Sequence, residues 1–132
     1  MKKNTLTVEI EKPIDIVFDF TVNPNNTPRW VPSVLEEKAT DTKVKVGTVY
    51  NQIVKGSSGE TKKSALVVTG FIKNIMLDFH LVNGQYTCSY RYEEIPTGTR
   101  MIYSEENGID GEIESPMTIE NLQALKKLIE EA

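Results

Sequence analysis

Apolar and polar residues alternate strictly at the start of the chain. In "TLTVEIE", residues 5–11, Leu6, Val8 and Ile10 share one face, and threonines and glutamates share the other. This alternation predicts a half-buried strand. After it, "PIDIVFDF" changes to helical spacing, and Pro13 suits the first position of a helix. "NNTPRW" indicates one further helical turn, so we expect two short helices after the first strand.

From Ser33 onward the pattern is one of strands joined by turns. The predicted strands are residues 33–40, 43–55, 60–70, 74–82, 85–94 and 100–105. Gly47 indicates a bulge or bend inside the second of these. Asn83-Gly84 predicts a type I′ hairpin turn. Because hairpins join antiparallel neighbours, the sequence predicts an antiparallel sheet of about seven strands.

The last segment returns to helical periodicity. Ser115 as the cap and Pro116 at the first position predict where this helix begins. Leu122, Leu125, Leu128 and Ile129 form its apolar stripe. Strands followed by one helix are typical of the α+β class, and the helix is the expected cover for the apolar face of the sheet. The whole chain, residues 1–132, is predicted to be a single domain.

Composition and charge disfavour several classes of protein. The net charge is −4, and Lys and Arg are scattered rather than clustered, so we expect no nucleic-acid partner. With Cys88 and His80 as the single residues of their types, no disulfide and no metal site is expected. No cofactor is indicated. The chain has neither the apolar run of a signal peptide nor a segment long enough for stable membrane insertion, so we expect a cytoplasmic location.

The order of elements resembles that of a known superfamily. The segment "PIDIVFDFTVNPNNTPRWVP" carries Pro13, Val17, Phe18, Phe20, Trp30 and Pro32, and it is followed by Gly47 in "KVGTVY" and by the final "NLQALKKLIEEA". Together these segments resemble the START-related SRPBCC superfamily, nearest to its polyketide cyclase/dehydrase and lipid-transport branch. The resemblance implies a helix-grip fold, in which an antiparallel sheet bends around the long final helix and the two short helices lie near the mouth of an internal cavity. It implies binding of lipids, sterols, polyketides or other apolar molecules, with enzymatic activity in some members and no universal catalytic residue.

The tyrosines of the second half are the most informative candidates for a site. Tyr86, Tyr90 and Tyr92 are expected to face the same side as Cys88, and Tyr103 of the next strand joins them. A buried phenol needs a hydrogen-bond partner, so several in one apolar space suggest a cavity holding water or a polar-tipped ligand. The alternative is that the rings pack together and their hydroxyls reach the rim of the sheet.

The other residues predicted to line the cavity lie on both of its sides. Trp30, fixed between two prolines, either lies across the open end of the space between sheet and helix or plugs the end of the core. Asn121, the polar exception on the helix stripe, either bonds a ligand or reaches the helix edge. The predicted ligand-binding residues are Trp30, Phe79, Tyr86, Tyr90, Tyr92, Tyr103, Asn121, Leu122, Leu125 and Ile129.

Other polar residues are expected to have ordinary structural roles. Asp78 and His80 are predicted to point to solvent, because the apolar residues that alternate with them along the strand are expected to occupy the inner face. Cys88 is interpreted as a small buried hydrophobe. The acidic pair Glu105-Glu106 is interpreted as a solvated strand end, so no catalytic residue is assigned.

Three functions remain open at the level of sequence. The leading hypothesis is a binding or transport protein for a small hydrophobic or amphipathic molecule held between sheet and final helix. The alternative is a cyclase/dehydrase-like enzyme, which a polar group with a shifted pKa inside the cavity would favour. The third is a protein-interaction module like the chaperone-activating relatives of this fold, which would need a large exposed apolar patch.

Overall fold

Seven strands and three α-helices form the computed structural model, which describes residues 2–108 and 111–132. The strands are β1 (Lys3–Ile10), β2 (Val34–Ala39), β3 (Val49–Lys55), β4 (Thr61–Ile72), β5 (Met76–Leu81), β6 (Tyr86–Ile95) and β7 (Gly98–Asn107). The helices are α1 (Ile14–Val22), α2 (Thr27–Trp30) and α3 (Ile119–Glu130), with a 3₁₀ turn at Pro24–Asn26 between the first two.

All seven strands belong to one antiparallel sheet, in the order β1-β7-β6-β5-β4-β3-β2. Strands β2 to β7 follow one another as hairpins, whereas β1 pairs with β7 at the far edge. Helices α1 and α2 carry the chain from one edge of the sheet to the other, and α3 packs against β1, α1 and α2. The predicted α+β class and helix-grip architecture are confirmed.

The core lies between the concave face of the sheet and the helices. Leu122, Leu125 and Ile129 of α3 are at most 1% exposed, so the predicted apolar stripe is confirmed. They share one core cluster with Val17 and Phe18 of α1. Burying each such side chain contributes about 1.5–3 kcal/mol, which holds the helices on the sheet.

Helix α3 begins later than the sequence predicted. Its cap is Thr118, whose hydroxyl accepts a hydrogen bond from Asn121 N at 3.1 Å, while Asn121 Oδ1 accepts from Thr118 N at 3.1 Å. This reciprocal capping box satisfies two backbone donors at once. The prediction of Ser115 and Pro116 as the helix start is therefore wrong, because the capping box that begins the helix forms between Thr118 and Asn121.

Two turns also differ from expectation. The predicted strand 43–55 begins only at Val49, because Gly47 has a φ of +97° and its N–H donates to Val68 O at 2.8 Å, outside the strand pairing. The hairpin at Asn83-Gly84 is present, but Gly84 has a φ of +156° and Asn83 is not in the positive-φ region. A type I′ turn requires positive φ at both residues, so that part of the prediction is wrong.

Candidate functional site

A cavity of about 600 Å³ opens on the concave face of the sheet. Its wall is formed by α2 and β2 on one side, the inner faces of β3 to β7 behind, and the segment before α3 in front. The wall includes Thr27, Val34, Glu37, Tyr50, Gln52, Ser64, Leu66, Phe79, Leu81, Tyr86, Cys88, Tyr90, Tyr103, Glu105, Ile113 and Met117. This volume is in the range of pockets that hold small organic molecules.

Strand register brings the aromatic side chains of the wall together. Tyr90 pairs with Leu77 on one side and with Tyr103 on the other, so these three residues share one face of the sheet. The rings of Tyr90 and Tyr103 meet edge to face at 5.2 Å, and those of Tyr50 and Phe79 at 4.9 Å. Such pairs stabilise each other by about 0.5–1.5 kcal/mol beyond their buried area, which gives the cavity a rigid back wall.

The predicted site residues divide into two groups. Phe79, Tyr86, Tyr90 and Tyr103 line the cavity. The others lie apart from its lining, in the core or at the helix start: Trp30, Tyr92, Asn121, Leu122, Leu125 and Ile129. Leu122, Leu125 and Ile129 of α3 are instead buried in the core cluster that includes Val17 and Phe18 of α1.

Three residues of the second group form contacts between neighbouring elements: Trp30, Asn121 and Tyr92. Trp30 is 2% exposed, and its backbone carbonyl accepts a hydrogen bond from Asn121 Nδ2 at 3.2 Å. Asn121 therefore ties α2 to the first turn of α3 in addition to its part in the capping box. Tyr92 packs edge to face on Phe18 at 5.1 Å, and its hydroxyl is 2.6 Å from Thr21 Oγ1.

A buried carboxylate that the sequence analysis placed in solvent lies at the cavity. Glu105 is 4% exposed. It faces inward because it lies two residues after Tyr103 on β7, and residues two apart on a strand point to the same face. Its Oε1 accepts from Tyr86 Oη at 2.6 Å and from Tyr103 Oη at 3.2 Å. Its Oε2 accepts from Asn4 Nδ2 at 2.8 Å and from Met117 N at 2.7 Å. The interpretation of Glu105 as a solvated strand end is wrong, and strand alternation alone is the signal that could have shown it.

A second buried carboxylate, Glu37 of β2, lies on the opposite wall of the same cavity. It is 6% exposed, and it accepts from Thr27 Oγ1 and Gln52 Nε2, each at 2.5 Å. Burial raises the pKa of this carboxyl, and the two hydrogen bonds lower it by less. The inward position of Glu37 does not follow from simple strand alternation, because a register shift between Val34 and Glu36 changes the face of the strand.

The buried phenols and the buried thiol of the wall are neutral near pH 7. Burial raises the pKa of Tyr86, Tyr90 and Tyr103 above the ordinary phenol value. Burial, and secondly the charge of Glu105, raises the pKa of the Cys88 thiol to about 12. These phenols therefore act as hydrogen-bond donors and acceptors rather than as bases near neutral pH.

Comparison with known proteins identifies the fold. Neither a family model nor a curated protein matches the sequence. A solved structure from Nitrosomonas europaea is similar with a TM-score of 0.77 at 12% identity, covering 98% of this chain and 95% of that one. The Bet v 1 allergen Ara h 8.0201 is similar with a TM-score of 0.70 at 14% identity, covering 98% of both chains. The chain has the helix-grip fold of Bet v 1-like proteins.

A third similar structure with the helix-grip fold is the di-domain aromatase/cyclase StfQ from the steffimycin biosynthetic pathway. The TM-score is 0.75 at 11% identity, and the match covers 98% of this chain and 50% of StfQ. Structures of the SRPBCC type are thus among the neighbours of this chain, as the resemblance in sequence implied.

Outside the cavity, the helix-grip sheet carries ordinary surface pairs. Asp78 binds Arg91 across the outer face, with Oδ1 to Nη1 at 2.5 Å, and His80 Nδ1 contacts the carbonyl of Leu81 at 2.7 Å. In residues 2–108 and 111–132, no group of three or more His, Cys, Asp or Glu side chains is arranged to hold a metal ion. Over the same residues, no helix has the combined length and apolar character needed to cross a bilayer.

Proposed function

We propose that this protein binds a small hydrophobic or amphipathic molecule inside the cavity. The observation that carries this proposal is the 600 Å³ space itself, with an aromatic back wall and a few oriented polar groups. Small-molecule sites in proteins have this composition, since apolar walls supply affinity and isolated polar groups fix orientation.

The polar groups are placed so that a ligand can be oriented. Glu105 holds the Tyr86 and Tyr103 hydroxyls on one side, and Glu37 holds Gln52 on the other. A ligand with a polar end can form hydrogen bonds with the polar groups around Glu37 while its apolar body contacts Phe79 and Tyr90. The similarity of the fold to an allergen of the Bet v 1 type and to an aromatase/cyclase agrees with an internal ligand site.

A thermal-shift screen with fatty acids, sterols, flavonoids and polyketides tests the proposal. We expect one or more compounds to raise Tm in proportion to the logarithm of ligand concentration. The variant Leu81→Trp fills the cavity and should abolish the shift, since Leu81 lines the wall. The matched control is His80→Trp, which introduces the same side chain one residue away on the opposite face and should bind normally. Equal shifts in both variants would place the binding elsewhere.

A second candidate is an enzyme that moves protons on a bound carbonyl compound. The specific observation in its favour is Glu37, a buried carboxylate at the cavity wall with a raised pKa. A carboxylate tuned toward neutral pH is suited to general acid–base work. In such a step the Glu37 carboxylate takes a proton from the carbon next to a ketone, and the electron pair of that C–H bond passes into the enolate.

Deuterium exchange measured by NMR tests this second candidate. In deuterium oxide, 4-phenylbutan-2-one should exchange the hydrogens next to its carbonyl faster with the protein than without it. Glu37→Gln should abolish the acceleration, and Glu36→Gln on the exposed face of the same strand should leave it intact. Exchange at the uncatalysed rate with a ketone shown to bind would argue against an enzyme of this kind.

A further inference from the structure

The two buried carboxylates on the wall of the cavity are bound by neutral groups, although three lysines, Lys55, Lys62 and Lys63, also belong to the lining. Glu37 and Glu105 are the buried ionisable acids of the wall, and all their hydrogen-bond partners are neutral groups. Within residues 2–108 and 111–132, no lysine, arginine or histidine pairs with either of them. Burying a carboxylate without a cation is costly, so such groups are usually paired.

The lysines near the opening do not supply the missing charge. Lys62 is already paired with Glu114, with Nζ to Oε1 at 3.0 Å. Lys63 and Lys55 belong to the lining but are exposed, and they alternate along their strands with Ser64 and Val54. Neither therefore shares the strand face from which Gln52 reaches Glu37. Tyr50, Cys88 and Tyr90 are titratable groups that interact electrostatically with Glu37. All three are neutral near pH 7, because burial raises the pKa of each.

The two carboxylates differ in how many further hydrogen bonds they can accept. A carboxylate offers about four lone-pair positions. Glu105 receives four hydrogen bonds, from Asn4, Tyr86, Tyr103 and Met117, so it has no position left. Glu37 receives only two, one on each oxygen, from Thr27 and Gln52. Glu37 alone therefore has room for donors from a ligand.

We propose that the cavity selects ligands with a protonated amine at one end of an apolar body, and that the ammonium binds the Glu37 carboxylate. An ammonium brings three donors and the positive charge that is missing from the partners of Glu37. The apolar body then lies along Phe79, Tyr90 and Leu66. This inference rests on the proposed function, because it names the chemical class that the same cavity takes.

Three probes that differ only in their polar end test the inference: 4-phenylbutylamine, 4-phenylbutan-1-ol and 4-phenylbutanoate. Calorimetric titration at pH 7 should give an affinity for the amine at least about 10-fold above that for the alcohol, since a hydrogen bond to a charged group exceeds a neutral one by this order. The carboxylate should bind more weakly than the alcohol. Equal binding of amine and alcohol, or tightest binding of the carboxylate, would overturn the inference.

Two variants separate the effect of Glu37 on binding from the effect of the protein's net charge. Glu37→Gln should lose the preference for the amine and keep the affinity for the alcohol, which also shows that the variant is folded. Glu36→Gln removes the same charge from an exposed neighbour and should keep the preference. A preference that survives in Glu37→Gln would place the ammonium elsewhere. If none of the three probes binds the unmodified protein, both this inference and the proposal that the cavity binds such molecules are wrong. If the alcohol binds and the amine is not preferred, only this inference is wrong.

Discussion

Glu105 and Met117 are joined by a hydrogen bond in which the backbone N–H of Met117 donates to Glu105 Oε2 at 2.7 Å. Asn4 closes this link, because its Nδ2 lies 2.8 Å from both Glu105 Oε2 and the carbonyl oxygen of Met117. The same carboxylate accepts from Tyr86 and Tyr103 through its other oxygen. One side chain thus connects β1, β7 and the cavity tyrosines to the segment that leads into α3.

We expect Glu105→Ala to destabilise the protein by about 3 kcal/mol or more. The substitution leaves four donors without their acceptor, and each unsatisfied buried group costs about 1–3 kcal/mol. Urea denaturation at neutral pH measures the change in the free energy of unfolding.

Glu106→Ala is the matched control for this loss. Glu106 is the next residue on β7, and its carboxylate pairs at 3.6 Å with exposed Lys3. Exposed ion pairs contribute about 0–1 kcal/mol, so this variant should stay near the unmodified protein. Equal losses in the two variants would mean that the buried network contributes nothing specific.

We expect Thr118→Ala to lower the free energy of unfolding by about 1 kcal/mol, the usual value of a side-chain cap. Thr118 accepts from Asn121 N, whereas Ser115, three residues earlier, has no part in the cap. Ser115→Ala should therefore change stability by no more than about 0.5 kcal/mol. Chemical denaturation of both variants decides which residue begins the helix, and a larger loss for Ser115→Ala would contradict the assignment.

Local patterns were sufficient to predict the antiparallel sheet and the inner face of β6. Alternation in β6 places Tyr86, Cys88, Tyr90 and Tyr92 on one face, and the hairpin to β7 adds Tyr103. The stripe of α3 followed from its helical spacing in the same way. These features depend on residues close in sequence, so they can be predicted from a single sequence.

The polar part of the site depends on contacts that a single sequence does not show. Glu105 is satisfied by Asn4, which lies 101 residues away and is brought alongside by the pairing of β1 with β7. Glu37 faces inward because a register shift in β2 changes the alternation. The leucines of α3 are buried in a core cluster shared with α1 and do not line the cavity, and this packing joins elements far apart in the sequence.

Glu37 should make the stability of the protein fall as pH rises. Its pKa is raised in the folded state, so between the unfolded and folded pKa values the folded state binds more protons. Stability from this group is complete below the unfolded pKa, near the ordinary value of 4.5, and is lost as pH rises through the folded pKa. Each unit of difference contributes about 1.4 kcal/mol. Denaturation of Glu37→Gln across this range should show a flatter pH profile.

The control for this profile is again Glu36→Gln, on the exposed face of β2. It removes an equal charge, so any general effect of net charge on the pH profile appears in both variants. A Glu37→Gln protein that keeps the pH dependence of the unmodified protein would show that another group causes it.

Cys88 should resist alkylation in the folded protein. Burial raises its pKa to about 12, from an ordinary value of 9.0, so at pH 8 the reactive thiolate is reduced by roughly three orders of magnitude. Labelling with iodoacetamide, followed by mass spectrometry, should be slow for the native protein and rapid in guanidinium chloride, where the same single thiol is exposed. Native labelling as fast as that of the unfolded chain would contradict both the burial of Cys88 and its position on the inner face of β6.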